Sequence, residues 1–98
     1  MPATVDKKDG RLYLDGVVDF DNAASVCKVG LDLLEGLGQE VVVDLSLLEA
    51  ENSITVAVIV QWARAAAQAG KKLTLTSVPE QFRAIVRVSG LQPVLATQ

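Results

Sequence analysis

The chain has 98 residues, half of them hydrophobic, and a net charge of −3, so it can pack one core but not two, and residues 1–98 are expected to form a single domain. It has no basic patch of the density that phosphate backbones demand, which argues against nucleic-acid binding. Histidine is absent and Cys27 is the single cysteine, so the commonest general base, the commonest metal ligand and an internal disulfide are all missing.

Aromatics make up only 4% of the residues. The core must therefore be built of Val, Leu, Ile and Ala, which favours helices packed on a sheet. The first ten residues, MPATVDKKDG, show no basic-then-apolar leader. No run reaches the ~20 apolar residues of a membrane span. The cytoplasm is the expected compartment.

In chain order, Thr4–Val5 reads as the end of a short strand, DKKDG as a turn with Gly10 free to take positive φ, and RLYLD as the returning strand. Its alternation puts Leu12 and Leu14 on one face and Arg11, Tyr13 and Asp15 on the other. DFDNAASVCKVGLDLLEGLG opens with residues able to cap a helix, Asp21 being the expected N-cap. Ala23, Cys27, Gly30, Leu31 and Leu34 recur at helical spacing. Gly30 costs about 1 kcal/mol against Ala inside a helix, and close packing on a sheet would justify it. Gly36 and Gly38 bracket the expected stop.

QEVVVDLS reads as a buried strand, its three consecutive valines suggesting that both faces are covered. A turn, LLEAE, leads to a second helix over 53–69, stopped at Gly70. Lys71–Lys72 reads as a solvated loop, and KKLTLTS as a strand with Leu73 and Leu75 on one face. Pro79 opens a third helix, after Ser77 or Val78. In that helix Phe82, Ile85 and Val86 point inward, Val88 flanks them, Arg83 and Arg87 point outward, and Gly90 is the stop. LQPVLAT is a last extended piece. The order β-β-α-β-α-β-α-β predicts an α/β fold whose sheet is mostly parallel, with the leading hairpin making it mixed.

The second helix is the unusual segment. On a wheel, Ser53, Ala57, Gln61, Arg64 and Gln68 share one narrow face. The rest is apolar over roughly 240°, whereas a helix laid on a sheet needs a stripe of somewhat over ~100°. A neighbouring helix or a partner protein must cover the excess. Ile54 through Val60 is rich in β-branched residues, which are slightly poor helix formers, so tertiary packing has to hold the segment helical. Asn52 is a good N-cap, and it places Ser53 in the first turn beside unpaired N–H groups and the positive end of the helix dipole. Such a hydroxyl suits a partner hydrogen bond or a phosphate. On spacing alone, Asn52 and Ser53 read more readily as a simple cap.

Three stretches together resemble the STAS domain, the fold of bacterial anti-sigma-factor antagonists. They are LDGVVD (residues 14–19), VVVDLSLLEAENSITVAVIV (41–60) and VPEQFRAIVRVSGL (78–91). Within that family the length and spacing are most similar to the small cytoplasmic STAS subunits of Mla phospholipid-transport ABC transporters. The resemblance implies a non-enzymatic subunit without a cofactor. It would bind the transporter ATPase (MlaF-like), in a complex with a permease (MlaE-like) and a substrate-binding subunit (MlaD-like). It would support assembly and activity of that complex, and so outer-membrane lipid asymmetry, sitting peripherally at the inner membrane without inserting.

By that carry-over Ser53 takes the place of the family's Ser/Thr, and Asn52 that of the preceding Asp. Asn52, Ser53, Ile54, Ala57 and Val60 would contact the partner, with Gln61 and Arg64 as a polar rim. Trp62 is a hot-spot candidate, although its wheel position lies nearer the core. The alternative is an anti-sigma-factor antagonist switched by phosphorylation of Ser53. Asn52 in place of Asp and Ile54–Thr55 in place of a small pair weigh against that switch. A third class, an enzyme using Asp19, Asp21, Glu49 and Glu51 at one sheet edge, has only loop carboxylates to support it.

Overall fold

β1 (Thr4–Lys8) and β2 (Arg11–Asp15) form an antiparallel hairpin, in register from Thr4↔Asp15 to Lys8↔Arg11. The loop is only Asp9–Gly10, with φ of 54° and 77°. This is the left-handed Asp-Gly pair whose twist matches that of the flanking strands. The first strand therefore runs past Val5 to Lys8, and the turn is shorter than DKKDG. The computed structural model describes residues 1–49, 52–80, 83 and 96–97.

Helix α1 (Ala23–Glu35) follows, then β3 (Glu40–Asp44), α2 (Ser53–Gln68), β4 (Lys72–Thr76) and the short β5 (Ala96–Thr97). The strands lie in sequence order in one sheet. Among the described strands only the β1–β2 pair is antiparallel; β2–β3, β3–β4 and β4–β5 are parallel. The mixed α/β sheet expected from the sequence is thus present. The helix expected from Pro79, with Phe82, Ile85, Val86, Val88, Arg87 and the stop at Gly90, lies outside the described residues beyond its start. There the Arg83 amide donates to the Pro79 carbonyl at 3.1 Å.

One sheet face carries Leu12, Leu14, Val41, Val43, Leu73 and Leu75, all buried. Together with Val26 and Leu34 of α1 and Val56, Ile59, Trp62, Ala63 and Ala66 of α2 they form the core. The opposite face is only half-buried, at Tyr13, Asp15, Val42, Asp44, Thr74 and Thr76. The expectation that the valine run is covered on both faces is therefore corrected: Val41 and Val43 point inward, and Val42 shares the polar face.

Three further details differ from the sequence reading. The N-cap of α1 is Asn22, not Asp21. Gly30 faces another helix, not the sheet: a Cβ there would collide with the indole of Trp62. Lys71 is no solvated loop residue. Its Nζ donates to the carbonyls of Leu34 at 2.8 Å, Leu37 at 2.7 Å and Glu35 at 3.3 Å, completing the C-terminus of α1. Gly36 is in the right-handed region at φ −85° and makes no left-handed cap; the Gly36 and Leu37 amides reach the Leu33 and Leu34 carbonyls, and Lys71 adds the remaining bonds. Gly70, at φ 73°, ends α2 as expected.

Candidate partner-binding site

The N-terminus of α2 is anchored by one side chain. Asn52 is extended, and its Oδ1 accepts from the Thr55 amide at 2.9 Å and the Thr55 hydroxyl at 3.2 Å. Its Nδ2 donates to the Val18 carbonyl at 3.1 Å. Thr55 is fully buried, so this network satisfies a hydroxyl that would otherwise be costly inside the core. Both ends of the amide are used. A carboxylate could replace the acceptor but not the donor, which gives a structural reason for Asn where the related pattern has Asp.

Ser53 is the first residue of α2 and is exposed. Its hydroxyl has no hydrogen-bond partner among the described residues. Ala57, Gln61 and Arg64 are exposed on the same side, and Ile54 is half-buried against the core. Val60 does not belong with them: it is only 7% exposed and part of the core, which corrects its expected contact role. Trp62 is fully buried, and its Nε1–H donates to the Cys27 carbonyl at 3.0 Å.

The wide apolar arc of α2 is therefore covered by this chain. Val56, Val58, Ile59, Val60, Trp62, Ala63 and Ala66 are buried, with the sheet on one flank and α1 on the other. The surplus that pointed to a second polypeptide is taken up internally. A strip of small and polar residues with a bare hydroxyl at its tip remains on the surface.

Two of the loop carboxylates, Asp19 and Glu49, are engaged in local structure. Asp19 Oδ1 accepts from the amides of Asp21 at 2.9 Å and Asn22 at 3.0 Å. Glu49 lies 3.5 Å from the Met1 ammonium. Glu51 falls outside the described residues. Among the described residues no group of three or more His, Cys, Asp or Glu side chains is placed to hold a metal. Burial pushes the Cys27 thiol up, away from the thiolate that nucleophilic chemistry needs. On the polar sheet face the Asp15 carboxyl is raised, first by burial and then by Asp6 and Asp44 nearby. Its Oδ1 is buried without a partner.

Residues 3–96 match the family described as Mlab, STAS domain. The chain belongs to the MlaB-type STAS-domain family. It is similar to a chain of the ATP-bound MlaFEDB complex of Acinetobacter in the Vtrans1 conformation, at 31% identity and TM-score 0.83, over 97% of this chain and 100% of that one. The likeness to a chain of the same complex in the Vtrans2 conformation is 32% identity and TM-score 0.82, over 92% and 95%. An anti-sigma factor antagonist from Mycobacterium paratuberculosis shares the fold at 16% identity and TM-score 0.72, over 97% and 82%. No curated protein matches the chain by sequence.

Two residues of this STAS domain, Thr55 and Phe20, are not singled out by sequence patterning. By pattern Thr55 is one more β-branched helix residue, although it forms the buried half of the cap. Phe20 went unremarked because it belongs to no helical or strand period. It is 90% exposed, more than any other large apolar side chain among the described residues. The signal was its setting: a Phe between Asp19 and Asp21, with Asn22 next, sits in a turn and not in a core. No helix among the described residues is long and apolar enough to cross a membrane.

Proposed function

We propose that the chain is a non-enzymatic STAS subunit that binds the cytoplasmic ATPase of an Mla-type phospholipid-trafficking ABC transporter. In that role it supports assembly of the ATPase with its permease and substrate-binding subunits, and so helps maintain outer-membrane lipid asymmetry. The subunit is cytoplasmic and reaches the inner membrane only through the complex. The observation that carries this reading is the 31% identity to a chain of an MlaFEDB complex over essentially all of both chains.

The α2 tip is the proposed contact. Ser53 offers a hydroxyl at the positive helix end, Ala57 a flat apolar spot, and Gln61 and Arg64 a polar border, while Ile54 adds partial apolar area. Asn52 holds the tip through both ends of its amide, so less ordering entropy is lost on binding. Val60 and Trp62 have no direct contact role.

The test is co-purification with the ATPase of the same transporter. Ser53→Arg should abolish capture while the variant keeps its circular dichroism spectrum and melting temperature, because an exposed position tolerates the change. Capture of Ser53→Arg at the level of the parent chain would remove the tip from the interface. The antagonist reading is favoured by one feature, the exposed Ser53 hydroxyl. Phosphate transfer from ATP to Ser53 by a co-purifying kinase would establish it instead.

A further inference from the structure

We propose that Phe20 is a pre-formed aromatic anchor extending the α2-tip surface, and that it enters an apolar pocket ringed by basic side chains on the same ATPase subunit. The inference rests on the ATPase-docking reading given above.

Phe20 is fixed in place by its neighbours. The Asp19 amide donates to Asn22 Oδ1 at 2.9 Å, and Asp19 Oδ1 accepts from the amides of Asp21 and Asn22. Asn22 Nδ2 donates to the Val17 carbonyl at 3.0 Å. These reciprocal bonds close a turn with Phe20 at its apex. The same turn is tied to the α2 tip, because Val18, two residues before Phe20, supplies the carbonyl that Asn52 grips. Glu49 and Gly16 add a second tie, with the Glu49 amide donating to the Gly16 carbonyl at 2.8 Å. The turn and the tip therefore present their exposed residues as one rigid unit. A rigid exposed aromatic loses little entropy on docking and offers a large apolar area.

Charge selects the occupant. Phe20 is flanked by Asp19 and Asp21, residues 12–27 contain no Lys or Arg, and the basic residue on the exposed α2 strip, Arg64, lies about three turns from the tip. An anionic lipid surface would be repelled by this acidic border. A second copy of the chain, docking tip to tip, would bring like charges together. A protein surface with an apolar pocket and a basic rim satisfies both the ring and its border.

Affinity for the purified ATPase subunit, measured at low and physiological salt, tests this with three variants of the full chain. Phe20→Ala should weaken binding about tenfold or more, as loss of a hot-spot aromatic does, with the melting temperature unchanged. Phe20→Leu should recover part of the loss. Asp21→Lys, which leaves the Asp21 amide bond intact, should weaken binding and flatten its salt dependence. Parent-like affinity of Phe20→Ala alongside loss of binding by Ser53→Arg would overturn the anchor and leave the docking reading standing. Parent-like affinity of both would overturn both. Binding of the parent chain to phosphatidylglycerol vesicles, or a dimer in sedimentation, that Phe20→Ala abolishes would assign the ring to a different occupant and overturn the proposal.

Discussion

The indole of Trp62 lies against the bare Cα of Gly30, where a methyl group would overlap its ring atoms. This contact lets α1 close over the broad apolar flank of α2, and the Trp62 Nε1–H finds its acceptor one turn away at the Cys27 carbonyl. Two effects oppose each other in Gly30→Ala. Helix propensity favours Ala by about 1 kcal/mol, while overpacking against a ring with no free space costs roughly 1–3 kcal/mol. The ring is fully buried and hydrogen-bonded, so it cannot swing away. The steric cost should win, with a net loss of up to about 2 kcal/mol and a drop in melting temperature of up to several degrees. A Gly30→Ala variant that melts above the parent would mean that the helices part readily.

Asn52 makes a sharper prediction, because its two amide ends do different work. Asn52→Asp keeps the acceptor and gains about 0.3–1 kcal/mol from the helix dipole. It also faces a carboxylate with the Val18 carbonyl and leaves that carbonyl unsatisfied, at about 1–3 kcal/mol. Urea denaturation at neutral pH should therefore show Asn52→Asp less stable by about 1 kcal/mol. Asn52→Ala, which loses the cap as well, should be less stable by about 2 kcal/mol. An Asp variant as stable as the parent would show that losing the Val18 contact costs no more than the dipole gain.

Where the sequence reading succeeded, local periodicity and chain-local chemistry were enough. The alternation at Leu12 and Leu14, the cap at Asn52 and the stop at Gly70 all depend on residues a few positions apart. The tip could be placed for the same reason: Ser53 and its exposed companions Ala57, Gln61 and Arg64 follow from one cap and one helical wheel. What escaped depended on residues far apart in the chain. The wheel shows how wide the apolar arc of α2 is, but not that Gly30 admits α1 against Trp62 or that Val60 is only 7% exposed. The Asn52 donor to Val18 spans 34 residues, and no pattern around Asn52 announces it. Phe20 was overlooked because a residue displayed by a turn has no period to detect.

Lys71 belongs to the same long-range class. Its ammonium gathers the carbonyls of Leu34, Glu35 and Leu37 at the end of α1, where the helix dipole is negative. Lys71→Met keeps the apolar stem and removes the donors. It should cost about 1–2 kcal/mol, from charge-assisted bonds at a partly exposed site. Hydrogen exchange should speed up first in the last turn of α1, before any change in the sheet. Uniform acceleration across the chain would instead indicate a loss of global stability unconnected with that helix end.

Asp15 should make stability depend on pH in the opposite sense to an ion-paired acid. Its folded pKa is raised from an ordinary value near 3.8, by burial first and then by Asp6 and Asp44, so the folded chain holds this proton more readily than the unfolded one. Stability from this group therefore falls as pH rises from that ordinary value through the raised folded one, and the cost is fully present at neutral pH. Asp15→Asn removes the charge while keeping the shape. At pH 7 it should gain on the order of 0.5 kcal/mol, modest because the site is half-exposed and screened. The gain should shrink to nothing near pH 3, where Asp15 is protonated in both states. Melting curves of the two chains across that range are the measurement. Curves that stay parallel from pH 7 to pH 3 would show that Asp15 is not a source of acid-relieved strain in this sheet.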